Sequence, residues 1–161
     1  MKKLLFLVAI VAASFTANAQ GQFNVGGNLG LPVGDASNGS SLTFGVEANY
    51  LFEVSDEFKV GPTASYVHFL GKDGAKAPSF LPLGGAARYS VSDEFVVGAD
   101  LGLALAMANG SGSTFYYRPM VGYNISETMM IQASYMGMSV EVGPGVSSTT
   151  ATFSAGVMFA L

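Results

Sequence analysis

Apolar and polar residues alternate with a period of two along most of the chain. The last stretch is the clearest. Thr149, Ala151, Phe153, Ala155, Val157, Phe159 and Leu161 share one parity, and Ser148, Thr150, Thr152, Ser154, Gly156 and Met158 share the other. Over 42–54, Leu42, Phe44, Val46, Ala48, Tyr50, Phe52 and Val54 oppose Thr43, Gly45, Glu47, Asn49 and Glu53. Over 95–105, Phe95, Val97, Ala99, Leu101, Leu103 and Leu105 oppose Gly98, Asp100, Gly102 and Ala104. Over 115–125, Phe115, Tyr117, Val121, Tyr123 and Ile125 oppose Tyr116, Arg118, Gly122 and Asn124. Successive side chains of a strand point to opposite faces, so each segment predicts a strand with one apolar face and one small or polar face.

A short pattern separates these strands. Val54-Ser55-Asp56-Glu57-Phe58-Lys59-Val60 returns as Val91-Ser92-Asp93-Glu94-Phe95-Val96-Val97, and more loosely as Ile125-Ser126-Glu127-Thr128-Met129-Met130-Ile131, at offsets of 37 and 34 residues. A polar tripeptide between apolar flanks reads as a tight hairpin turn. Segments rich in Gly, Ser, Asn, Asp and Pro lie between these turns, at 32–40, 71–77, 109–113 and 143–147. Three short turns alternating with four longer loops predict eight strands in an up-and-down antiparallel array, with both termini on the turn side.

Alternation alone also fits a soluble sandwich or lipocalin-like barrel. The distribution of charge and bulk separates the two cases. The polar face carries Glu47, Glu53, Lys59, Arg88, Asp100 and Arg118 together with many glycines, and would make a poor dry core. The apolar face is almost free of charge in mid-strand. An Arg or Lys at the lipid midplane costs about 2–4 kcal/mol, whereas a soluble protein places charges outside at no cost. The expected fold is therefore all-β: a closed antiparallel transmembrane barrel, apolar outside and polar inside. Closure follows because hydrocarbon offers no water to an unpaired sheet edge. Three features interrupt the pattern, the first being His68, which has outward parity near the loop end of the third strand, where the interface is expected. Met136, Met138 and Val140 depart from the parity of Ile131, Ala133 and Tyr135, which predicts a bulge near Gly137. Pro62, Pro82 and Pro119 fall inside predicted strands, where proline is unusual.

The N-terminus reads as a secretory signal peptide. Lys2 and Lys3 precede an apolar stretch, Leu4 to Ala13, and Ala17-Asn18-Ala19 offers a cleavage site. Cleavage after Ala19 leaves one domain of 142 residues, 20–161. Loss of the two lysines leaves five basic residues against eleven acids, a net charge of −6. That balance argues against nucleic acid as a partner. The chain has no cysteine, which removes disulfides, thiolate metal sites and a cysteine nucleophile.

With this signal peptide, strand count, connection rhythm and amphipathic final strand 148–161, the whole mature chain resembles the small outer-membrane β-barrel family typified by the OmpA transmembrane domain and OmpX. The resemblance implies a bacterial outer-membrane location, termini and short turns in the periplasm, and insertion by the barrel-assembly machinery. It also implies contact with outer-membrane lipid and a monomeric barrel. The terminal signal is a variant, since Leu161 ends the chain and Phe159 lies two residues earlier on the same face. There is no Trp, and Tyr50, Phe52, Phe58, Tyr89, Phe95, Tyr123 and Phe159 are the candidates for a periplasmic aromatic girdle.

Three constellations could carry chemistry. Glu47, Glu53, Lys59, Arg88, Asp100 and Arg118 are expected to pair within the lumen, as a filling plug rather than an ion path. His68 is the sole histidine; Ser65 and Ser134 are available to it, but no spacing links them, so no catalytic set, cofactor or metal site is expected. Lys72 and Lys76 on the second loop could contact lipopolysaccharide phosphates. The expectation is a non-enzymatic barrel with a mainly structural role and minor interactions through its loops. The alternative is a soluble periplasmic eight-strand barrel that binds a small apolar ligand.

Overall fold

The hairpin turns owe their shape to the second residue of the repeated pattern. The Ser55 hydroxyl accepts the Phe58 backbone N–H at 3.2 Å, and the Ser92 hydroxyl accepts that of Phe95 at 3.1 Å. The Val54 N–H donates to the Phe58 carbonyl at 2.8 Å, and Val91 to Phe95 at the same distance. A short hydroxyl side chain can thus satisfy a donor that the turn removes from the ladder. In the looser third copy, the Thr128 N–H donates to the Ser126 hydroxyl at 3.4 Å.

This computed structural model describes residues 21–72, 78–107, 112–143 and 146–161. The segment expected to be the signal peptide lies outside them. Eight strands follow one another: β1 (Gly21–Gly34), β2 (Ser40–Glu53), β3 (Phe58–Gly71), β4 (Ser79–Ser90), β5 (Phe95–Ala106), β6 (Ser113–Ser126), β7 (Met129–Gly143) and β8 (Val146–Ala160). Each pairs antiparallel with its neighbours in the chain, and β1 pairs with β8, so the sheet closes into a barrel. A single helical turn, α1 (Ala36–Gly39), follows β1. The chain enters it through Gly34, whose φ of 62° is costly for a residue with a side chain.

The faces divide as the alternation predicts. Leu101, Leu103 and Val121 lie on the outer wall, with 54%, 51% and 55% of their surface exposed, while Asp100 and Arg118 are buried in the lumen. A water-soluble barrel of this size would need those aliphatic groups in a dry centre. The three prolines do not break their strands. Pro62 stands opposite Gly85, Pro82 opposite Ala104 and Pro119 opposite Ala99. Each ring faces a small residue and each removes a single ladder donor.

The bulge expected near Gly137 is absent. β7 pairs with β8 in unbroken register from Met129↔Phe159 to Glu141↔Ser147, and Met136 and Met138 are buried inside the barrel. Their parity is that of Gln132 and Ser134, so it is the character of the lumen that changes along the strand. At the loop end, Val67, Phe69, Phe80, Ala104, Tyr116, Met136 and Met138 form one buried apolar cluster, with Ala36 of α1 packed against it. The inner face is thus not uniformly polar. It packs dry at the loop end and carries ionised groups deeper in. The pairing of β7 with β8 also extends to Gly143↔Val146, into the segment expected as a loop.

Candidate functional site

The ionised layer grows from four strands whose inward parity brings one charged side chain each to the barrel axis. β2 supplies Glu47, β4 Arg88, β5 Asp100 and β6 Arg118. Arg118 sits between the two acids. Its Nη2 donates to Glu47 Oε2, and its Nε donates to Asp100 Oδ2 at 2.8 Å. Arg88 Nη1 donates to the other oxygen of Asp100 at 2.6 Å. β2 and β6 are not neighbours in the sheet, so the Glu47–Arg118 pair crosses the lumen.

All four side chains are buried. Taking an ion out of water costs several kcal/mol unless opposite charge and hydrogen bonds replace the solvent. Two carboxylates against two guanidinium groups give no net charge, and neutral donors complete the shell. Gln132 Nε2 donates to Glu47 Oε1, and Asn28 Nδ2 lies 3.4 Å from the same oxygen. Neither amide was apparent as a site residue in the sequence, because an uncharged residue of inward parity carries no other signal. Gly98 makes room for the arginine: a Cβ there would stand 2.6 Å from Arg88 Cδ and 2.5 Å from the Ala87 carbonyl oxygen.

The six lumen charges do not form one network. Glu53 and Lys59 pair with each other at 3.0 Å near the turn end, with 49% and 25% of their side chains exposed. They sit at the strand ends next to the β2–β3 turn, where water solvates them and no cross-lumen partner is needed.

Below the ionised layer, a cavity of about 360 Å³ opens at the turn end. Arg88, Asn49 and Gln132 line its inner part, and Lys59, Asp93 and Glu127 belong to its mouth. Among the described residues no group of three or more His, Cys, Asp or Glu is placed to hold a metal ion.

On the outer wall, aromatic side chains gather at the turn end. Phe95 and Tyr123 meet edge to face at 5.0 Å, and Tyr50 and Phe52 at 4.9 Å. Phe58 is paired with Tyr89, and Phe159 with Met129. Nearer the loops a second aromatic group, unforeseen in the sequence, includes Phe115, Tyr117, Tyr135 and Phe153. The outward parity of all four was its only signal.

His68 also lies on the outer side of β3. Its Nδ1 is 2.7 Å from the Ser79 hydroxyl, which accepts from Tyr66 at 3.2 Å. Ser65 and Ser134 are buried inside, across the wall from the imidazole. Among the described residues no carboxylate is hydrogen-bonded to His68, so the pair lacks the acid that orients a catalytic imidazole. Lys72 Nζ donates to the Ser37 carbonyl at 2.7 Å, tying the end of β3 to α1. Lys76 lies outside the described residues.

Known structures share this architecture. The Ail attachment invasion locus protein of Yersinia pestis superposes with a TM-score of 0.58 at 13% identity, over 89% of this chain and 99% of that one. The N-terminal β-barrel domain of Pseudomonas aeruginosa OprF gives 0.58 at 16% identity, over 88% and 100%. Neisserial surface protein A gives 0.56 at 16%, over 85% and 96%. At such identities the likeness is one of fold. No curated protein matches the chain significantly in sequence. The outer membrane protein beta-barrel domain family matches residues 4–159, and with its closed eight-strand barrel the chain belongs to that family.

Proposed function

We propose that this protein is a non-enzymatic integral barrel of the bacterial outer membrane, exported by its N-terminal signal peptide, with a mainly structural role and no continuous ion path. The observation that carries the reading is the bridge from Glu47 through Arg118 to Asp100 across the lumen. An eight-strand barrel has an interior that side chains can fill, and here the apolar cluster around Phe69 and Tyr116 stands above that bridge. Ions would have to displace both. In a planar bilayer the purified barrel is expected to give no large steady conductance, and a stable open channel in the wild-type protein would sink the reading.

Location has its own test. A membrane barrel fractionates with the outer membrane and migrates differently on a gel before and after heating; release by osmotic shock would favour the soluble alternative. Insertion by the barrel-assembly machinery, anchorage by the aromatic residues of the turn end, function as a monomer and loop contacts to lipopolysaccharide through Lys72 and Lys76 belong to the same proposal. The non-enzymatic reading is supported by His68, whose Nδ1 meets the Ser79 hydroxyl and which has no carboxylate hydrogen-bonded to it among the described residues. The lipid A and phospholipid profiles of His68→Ala are therefore expected to match those of the wild type.

A further inference from the structure

We infer that the cavity at the turn end is a binding site for a small, freely diffusing oxyanion, held by Arg88 and Asn49. Arg88 is 6% exposed and lines the cavity. A guanidinium carries five N–H donors on three nitrogens. All hydrogen bonds of Arg88 among the described residues leave one nitrogen, Nη1, towards the carbonyls of Ala87 and Ala99 and the Asp100 carboxylate. Yet no fully buried side-chain nitrogen or oxygen among the described residues lacks a partner. Nε and Nη2 therefore meet open space, and the open space beside this buried residue is the cavity. Arg118 is the contrast, with both Nε and Nη2 engaged by acids.

Asn49 repeats the arrangement. It is 4% exposed and lines the same cavity. Its Oδ1 accepts from Asn24 at 2.9 Å, and its Nδ2, which donates no hydrogen bond among the described residues and is not fully enclosed, keeps surface free on the cavity side. Two buried residues thus present unused donors to one volume closed at its inner end. The apolar side chains of Leu51, Val96, Met130 and Met158 complete the walls and exclude bulk water from part of it. Hydrogen bonds strengthen in such surroundings. Lys59 adds a cation at the mouth, compensated by Glu53. Asp93 and Glu127 also stand at the mouth, but both are exposed, so salt screens their repulsion of an incoming anion. Arg88 already faces Asp100, so the expected affinity is weak, on the order of millimolar.

The test is a side-chain NMR titration of the full barrel in phosphatidylcholine nanodiscs, with inorganic phosphate and with acetate, at fixed ionic strength. The Arg88 Nε–H and Asn49 amide signals are expected to shift saturably. Arg88→Gln should weaken binding roughly tenfold or more, as expected for losing a charged donor. Asn49→Ala leaves the Glu47–Arg118–Asp100–Arg88 chain intact and should weaken binding severalfold. Shifts that never saturate, that follow ionic strength alone, or that persist unchanged in Arg88→Gln would overturn the inference. Should Arg88→Gln fail to fold, unchanged affinity in Asn49→Ala would overturn it instead. Binding and conductance are independent readouts, so this site can fail without touching the proposal of a closed lumen.

Discussion

Arg118 is the residue on which the ionised layer depends. Among the described residues it alone touches both acids of the buried cluster. Arg118→Ala would leave Glu47 without a cationic partner in the lumen, and breaking a buried pair from one side typically costs about 3–5 kcal/mol. Urea unfolding of the barrel in lipid vesicles should register a loss of that size. The same measurement on Lys59→Ala should fall within about 1 kcal/mol, because exposed pairs contribute little, and Glu53 and Lys59 are both part-exposed. High salt should erase the second difference and leave the first. Gly98 acts on the same layer by steric means. A side chain there would press on Arg88 and on the β4 backbone. Gly98→Val is expected to lower stability by about 1–3 kcal/mol through overpacking, and to shift the Arg88 side-chain resonances in the NMR spectrum.

At the scale of elements, the turns can be tested apart from the lumen. Ser55 and Ser92 make the same bond in two successive hairpins, each with its own phenylalanine N–H as partner. Ser55→Ala and Ser92→Ala should each cost about 0.5–1.5 kcal/mol, and the double variant should cost their sum, since sites without shared partners add. A double variant far from additive in the same unfolding experiment would mean that the turns are coupled. Turns and strands were legible in the sequence for a common reason. A serine at a fixed place in a polar tripeptide and a period of two are local signals, and both survive in a single chain. The site was legible only where a charge marked it. Glu47, Arg88, Asp100 and Arg118 stood out against glycines, while Gln132 and Asn28 looked like any polar residue of that parity. Met136 and Met138 were misread because bulk was equated with the outer wall. That equation holds where the lumen is wet and fails where Phe69, Phe80 and Tyr116 close it. Pairing across the lumen, such as Glu47 with Arg118, depends on barrel diameter and register, which no local pattern encodes.

Seen as a whole, the interior is layered along its axis: an apolar cluster at the loop end, ions in the middle, a cavity at the turn end. The order has a physical logic. Low dielectric on one side strengthens the attraction within the charged pairs, which offsets their desolvation, and the packed aromatics supply it. On its other side, Arg88 keeps contact with the cavity. The barrel should therefore be accessible to solutes from its turn end alone. The chain contains no cysteine, so single-cysteine variants can be read without background. Ser90 lines the cavity, and Ala104 belongs to the apolar cluster. In sealed vesicles with the loops facing outward, a charged maleimide added outside should leave both Ser90→Cys and Ala104→Cys unmodified. Opening the vesicles should expose Ser90→Cys to rapid labelling, whereas Ala104→Cys should react only after unfolding. Modification of Ser90→Cys in intact vesicles would mean that solutes pass the cluster and the ion pairs, and the layered interior would have to be redrawn as a channel.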